Sequence, residues 1–168
     1  VTGDLSATTA TLPAASIDTL TTNQVAFPAT QVPSADANTL DDYEEGTFTP
    51  VVQGTTTAGA GTYSAQVGRY TKVGRMVHFS LYIDWTAHTG AGNLRVGGLP
   101  FSAAAVTNNK PPVPVWAANL TFSGQLCARL NNNATTIDLR TIATGAADAA
   151  IALDTGAQIA ISGSYEAA

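Results

Sequence analysis

From Arg75 to Trp85 the chain alternates without a break. Val77, Phe79, Leu81, Ile83 and Trp85 fall on one parity, and Met76, His78, Ser80, Tyr82 and Asp84 on the other. A helix would scatter these five large apolar residues around its surface, whereas a strand places them on one face. The same rhythm returns at Leu94 and Val96, and at Leu126, Ala128 and Leu130, with Cys127 and Arg129 on the reverse face. It returns again at Ile137 and Leu139, with Thr136, Asp138 and Arg140 facing outward, and at Ile159, Ile161 and Tyr165. Asn131-Asn132-Asn133 separates two of these runs as a turn, since Asn tolerates positive φ. The segments 55–63 and 86–94 each carry Gly-Ala-Gly and read as hairpin loops. Pro111, Pro112 and Pro114 exclude that stretch from a central strand and leave it a loop or an edge. Many short strands with Gly and Asn turns, and no convincing helix, predict an all-β antiparallel sandwich or jelly roll. A chain of 168 residues is long enough to bury its own core without cross-links.

Charge locates a boundary. Residues 1–46 hold no Lys or Arg but seven acids, Asp4, Asp18, Asp36, Asp41, Asp42, Glu44 and Glu45, so the net charge of −5 leaves +2 for residues 47–168. The first forty residues are also poor in large side chains, with Leu5, Leu12, Ile17, Leu20 and Leu40 spread among Ser, Thr and Ala. Neither a 3.6 nor a 2.0 period fits them, and such a segment cannot close a core of its own. It is either a disordered tail or a fibre shaft whose sparse apolar residues are buried only against other copies. The division expected is an extended shaft and acidic junction over 1–46 and a β-sandwich head over 47–168.

Several function classes are disfavoured. Seven cations in an acidic chain do not supply the clustered basic face that nucleic acid needs. No apolar run approaches the ~20 residues of a membrane-spanning helix, and the opening VTGDLSATTA lacks the basic and apolar regions of a secretory signal. One cysteine, Cys127, excludes a disulfide within the chain and any multi-Cys zinc site, and reads as a semi-buried structural thiol. His78 on a strand and His88 in a Gly-Ala-Gly loop have no second ligand at metal spacing. Neither loop has the third glycine and following helix of a dinucleotide site. The dense acids Asp41, Asp42, Glu44 and Glu45 offer the carboxylate pair of a glycosidase, but a charge run of this kind reads first as a solvated junction, or as one paired with arginine from a neighbouring subunit. A Ca²⁺ loop begun at Asp36 fails, because Asp41 stands where glycine is required. No enzyme activity, metal or cofactor is expected. Asn119-Leu120-Thr121 and Asn133-Ala134-Thr135 match the glycosylation sequon, which matters only in a eukaryotic secretory pathway.

The phrase Phe27-Pro28-Ala29-Thr30-Gln31-Val32-Pro33-Ser34, followed by Asn38-Thr39-Leu40-Asp41-Asp42-Tyr43-Glu44-Glu45-Gly46-Thr47-Phe48-Thr49-Pro50, resembles a junction recurrent in fibre and appendage proteins of tailed bacteriophages. There a repetitive shaft meets a C-terminal β-domain at a TLDDYEEGTWTP-like phrase, with Phe48 here in place of the frequent Trp. Gly68-Arg69-Tyr70-Thr71-Lys72-Val73-Gly74-Arg75-Met76-Val77 resembles the GxYTKxGxxV strand pair of those domains, Leu94-Arg95-Val96-Gly97-Gly98-Leu99-Pro100-Phe101 their LxIxGLPF segment, and Ile161-Ser162-Gly163-Ser164-Tyr165-Glu166 their closing SGxYE. The likeness covers residues 27–101 and, more faintly, the C-terminal end; residues 102–160 carry none of it. It implies a homotrimer on the virion, with a shaft ordered by three chains burying their sparse apolar residues on a common axis and attached through that shaft to other virion proteins. The junction acids, triplicated near the axis, would splay to solvent or meet Arg69 or Arg75.

The resemblance implies a bacteriophage fibre or spike component whose head binds a host-surface receptor, a glycan or a protein, during adsorption. For that role Trp116, flanked by Pro111–Pro114 and Asn119, is the candidate stacking platform, joined by Tyr82 and His78 on the outward parity of their strand: an apolar wall with a few polar anchors is what a sugar site requires. The competing assignment puts Trp116 in the sandwich core, where large aromatics usually lie. The alternative function is a structural virion protein (head fibre, capsid decoration or tail component) with no receptor. A depolymerase is less well supported, since no long parallel β-helix and no second carboxylate motif are present.

Overall fold

The computed structural model describes residues 27, 28, 30, 39, 40 and 42–168. Apart from those five positions, the expected shaft lies outside the described residues, as does Asp41. The elements are β1 (Tyr43–Phe48), β2 (Val51–Gly54), β3 (Gly61–Val73), β4 (Met76–His88), β5 (Leu94–Gly97), β6 (Pro112–Val113), β7 (Val115–Ala118), β8 (Gln125–Leu130), β9 (Ile137–Ile142), β10 (Ala149–Ala150) and β11 (Ala157–Glu166). There is no helix among the described residues. All strand pairings are antiparallel and form two sheets, a five-stranded one in the order β1-β3-β4-β11-β7 and a larger one in the order β2-β5-β9-β8-β6, with β10 added against β9. The first strand begins at Tyr43, so the second half of the acidic junction is already part of a sheet.

The two sheets pack face to face through the parity read from the sequence. Val77, Phe79, Leu81, Ile83 and Trp85 of β4 are all buried, and β11 adds Ile159, Ile161 and Tyr165. From the larger sheet come Val52, Leu94, Val96, Ala128, Leu130, Ile137 and Leu139. Two polar tips inside this layer find backbone partners, as buried groups must: Trp85 Nε1 donates to Asp154 O at 3.1 Å, and Tyr165 Oη to Phe101 O at 2.9 Å. Burial pushes the Tyr165 hydroxyl up to about 12. One irregularity keeps β3 in phase. Between Thr62 and Ala65 its register against β4 shifts, so that Tyr63 faces Trp85 inside while Ala65 stands opposite Asp84 outside. A bulge of this kind is how a strand changes parity without breaking. The prolines sit as expected, with β6 and β7 at sheet edges.

The Gly-Ala-Gly loops are not hairpins. The hairpin is β3–β4, closed at Gly74; the loops before β3 and after β4 each cross from one sheet to the other. They bind one another instead, through the Thr57–Ala91 bridge, Thr89 N to Ala60 O at 3.0 Å, and Ala60 N to Thr89 Oγ1 at 2.9 Å. Glycine is required where they touch. Gly59 has φ +71, and a Cβ there would overlap the backbone of Gly90, while one at Gly90 would lie 2.6 Å from Ala58 O.

Nor is the acidic junction simply solvated. Asp42 is buried and forms an ion pair with Lys72, both side chains almost wholly out of water. Lys72 also lies over the Phe101 ring, 5.4 Å from its centroid. Glu44 accepts a hydrogen bond from Tyr70 Oη, which holds that phenol up at about 12, and Glu45 accepts one from Tyr43 Oη at 3.0 Å. Burying an acid needs a cation within the same fold, and Lys72, on the inward parity of β3, supplies it.

Candidate functional site

The outer faces of the two sheets differ in chemistry. On the larger sheet the outward side chains are charged and consume one another. Arg95 Nε donates to Asp138 Oδ1 at 2.7 Å, Arg140 Nε to Asp148 Oδ2 at 2.7 Å, and Arg129 lies 3.3 Å from the same Asp148 oxygen. Asn131 Nδ2 adds a bond to Asp138 at 2.9 Å. The hydrogen bond from Arg140, then the two guanidinium charges, hold Asp148 below the usual carboxylate range. Cys127 stands half-buried opposite Arg140, and desolvation pushes its thiol up. The guanidinium charges of this face are thus paired within it, while Arg129 Nε is buried without a hydrogen-bond partner among the described residues.

On the five-stranded sheet the strand register orders the outward side chains into rows running across the strands. One row is Val67, Tyr82, Ala160 and Trp116, from β3, β4, β11 and β7 in turn. On one side of it runs Thr47, Arg69, Ser80 and Ser162; on the other, Ala65, Asp84, Gln158 and Ala118. Gln158 Nε2 donates to Asp84 at 3.2 Å. A further row holds Glu45, Thr71, His78 and Ser164, and the last, beside the β3–β4 turn, holds Tyr43, Val73, Met76 and Glu166.

Trp116 therefore belongs to the surface and not to the core: it is 54% exposed on the edge strand β7, while its neighbours Val115 and Ala117 turn inward against the core. Tyr82 is half-buried in the same row, two strands away, a separation of about 10 Å set by two interstrand spacings. Ala160 between them leaves the space over the sheet open. His78 is exposed on the same face but two rows off. Asn119 lies just beyond the end of β7, exposed and in the left-handed region at φ 58. The structure thus brings Trp116 and Tyr82 together as one row and places His78 and Asn119 at its margins. His88 is engaged in the fold, with Nε2 3.0 Å from Val52 O and Nδ1 accepting from Gly90 N at 2.9 Å. Among the described residues no three His, Cys, Asp or Glu side chains gather as a metal site would require.

Reading the sequence alone misses Ser80, Ser162, Val67 and Ala160 as members of this surface. The parity of β4 and β11 shows that they point outward, but only the register between strands shows that they adjoin the ring of Trp116. Several depressions mark the face, among them one bordered by Glu45, Thr47, Arg69 and Thr71, and two meet at Ser80. Ser80, Pro114, Trp116, Ala160 and Ser162 border one, and Arg69, Thr71, His78 and Ser80 the other. Rings above small residues, with hydroxyl and amide groups on either side, are suited to stacking on the apolar face of a pyranose and hydrogen-bonding its hydroxyls. Compared with models of protein families, the chain matches none, and no curated protein is significantly similar to it.

Proposed function

We propose that the chain is a component of a bacteriophage virion, a homotrimeric fibre or spike, whose β-domain binds a host cell-surface glycan through the outer face of the five-stranded sheet. The observation that carries the binding role is the outward row of half-buried Tyr82 and Ala160 and exposed Trp116, on a sheet whose opposite number has its charges internally paired. The virion assignment rests on the junction and strand-pair phrases of residues 27–101. In this reading the head is jelly-roll-like: the chain passes repeatedly between the two sheets and its last strand, β11, enters the middle of one of them.

The trimer has its own support. Leu40, Tyr43, Val73 and Met76 are exposed apolar residues, and the last three share the row at the end of the sheet where the chain enters from the shaft. Phe27 packs near Tyr43, ring centroids 6.4 Å apart, so Phe27 lies by the same end. Copies joined at a shaft would cover this patch and leave the Trp116 row open. The same patch favours the second reading, a structural virion protein (head fibre, capsid decoration or tail component) that packs on another virion component and needs no receptor.

Adsorption of the intact protein to a panel of bacterial cells, with Trp116→Ala and Tyr82→Ala beside the wild type, separates the two. Single-site binding to a glycan is weak, and three linked copies raise it by roughly 10²–10⁴, so loss of one ring per copy is expected to abolish retention on cells with folding preserved. A folded Trp116→Ala protein that adsorbs normally refutes the aromatic site. A wild-type trimer that binds no cell supports the structural reading.

A further inference from the structure

Arg69 is the residue of this face that the receptor reading leaves without a role. Arg75, Arg95, Arg129 and Arg140 each pair with a carboxylate, and Lys72 pairs with Asp42; Arg69 is exposed in the five-stranded face and makes no ion pair among the described residues. Its neighbours in register are hydroxyls, Thr47 on β1 and Ser80 on β4, and Thr71 and His78 complete the depression beside it. Glu45, in the adjoining row, borders a depression together with Arg69 but forms no ion pair with it, and accepts a hydrogen bond from Tyr43 Oη.

Ser80 borders two of the depressions on the face, the one under Trp116 and the one beside Arg69. A track therefore runs across the strands from the ring of Trp116, over the hydroxyls of Ser162 and Ser80, to Arg69. It spans three interstrand spacings, about 14 Å, the length of a short oligosaccharide. Its chemistry changes from a stacking ring, through neutral hydrogen-bonding groups, to an unneutralised cation. A purely neutral glycan would leave that cation without a counterpart, whereas a guanidinium offers paired N–H donors in the planar fork that carboxylate and phosphate oxygens match.

Resting on the receptor reading above, we infer that the glycan carries an anionic group, and that Arg69 binds this group while Trp116 stacks on a sugar at the other end of the track. The group is the carboxylate of an acidic sugar or a phosphodiester of the glycan chain; the two share this chemistry.

The test is an array of bacterial surface polysaccharides in three arms, with carboxylate-bearing, phosphodiester-bearing and neutral repeat units, probed with the full-length protein. Wild type is expected to prefer one of the acidic arms, and the arm preferred identifies the source of the charge. Arg69→Gln is expected to weaken binding to that glycan about ten- to a hundredfold without moving the unfolding midpoint, because the side chain is exposed. Neutralising the glycan's own acid, by carboxyl reduction or by methylation of the phosphodiester to its neutral triester as the arm dictates, should cost wild type the same factor and Arg69→Gln nothing further. Preference for neutral glycans, or an acidic preference that survives Arg69→Gln, overturns this inference and leaves the receptor reading standing. A protein that adsorbs to cells but binds no arm overturns it in favour of a protein receptor, and one that binds neither overturns both readings.

Discussion

Asp42 and Lys72 hold the first strand to the domain through a pair of charges taken out of water, and that arrangement has an energetic signature. Their side chains retain only 6% and 5% of their exposure. Breaking a buried pair by removing one of its partners costs about 3–5 kcal/mol. Asp42→Asn is therefore expected to remove a fifth or more of a domain stability of about 5–15 kcal/mol. The backbone bond from Gly74 N to Asp42 O, at 2.9 Å, is untouched by the substitution, and the cation–π contact with Phe101 stays in place. The loss would thus report the ion pair itself. Replacing both residues together, Asp42→Leu with Lys72→Met, removes the desolvation penalty along with the attraction and is expected to be neutral or stabilising. Urea unfolding by linear extrapolation measures both variants, and hydrogen exchange of the β1 amides shows whether the strand lets go first. A cost below about 1 kcal/mol for Asp42→Asn, or a double variant less stable than the single one, would refute burial of this pair.

Phe79→Ala should cost about 3–5 kcal/mol in the same assay, because the ring is 5% exposed and meets Tyr165 edge-on at 5.9 Å; less than about 1 kcal/mol would mean that the two faces of β4 have been exchanged. Tyr165 predicts an alkaline limit. Burial raises its pKa to about 12 from the ordinary 10.0 of a tyrosine, so the neutral phenol is favoured by the fold; the stability this represents is complete below pH 10 and is lost as pH rises from 10 to 12, about 2–3 kcal/mol in all. Tyr165→Phe should flatten that part of the pH profile, and an unchanged profile would show that the phenol is not shielded.

The architecture was readable wherever the two sides of a strand differ in polarity. In β4 the run Val77 to Trp85 keeps one parity over nine positions and in β11 Ile159, Ile161 and Tyr165 keep one over seven, and the structure buries that parity. Where local chemistry is ambiguous, the sequence did not decide. Gly-Ala-Gly serves a hairpin or a corner equally well, and which it serves depends on the sheet the next strand joins. The acids at 42–45 looked like a solvated run because their partners, Lys72 and Tyr70, lie about thirty residues away. Trp116 sits in Val-Trp-Ala-Ala, a stretch with no polar parity to say which side is wet. Arg69 was visible as a charge, but that it makes no ion pair among the described residues emerges only when every other guanidinium has been placed.

The interlocked corner loops restrict how this fold can change. Since residues 55–60 and 88–93 satisfy their backbone groups on each other, an insertion in one would leave donors of the other unmatched, and a side chain at the glycine contact would push the two corners apart. The two loops are therefore coupled in length, and drift in one requires a compensating step in its partner. The segment 143–147 has no such tie: its residues are exposed, and the space around Gly145 is open. Lengthening and diversification at that end of the domain have an unobstructed route there, while the paired corners keep the two sheets in register.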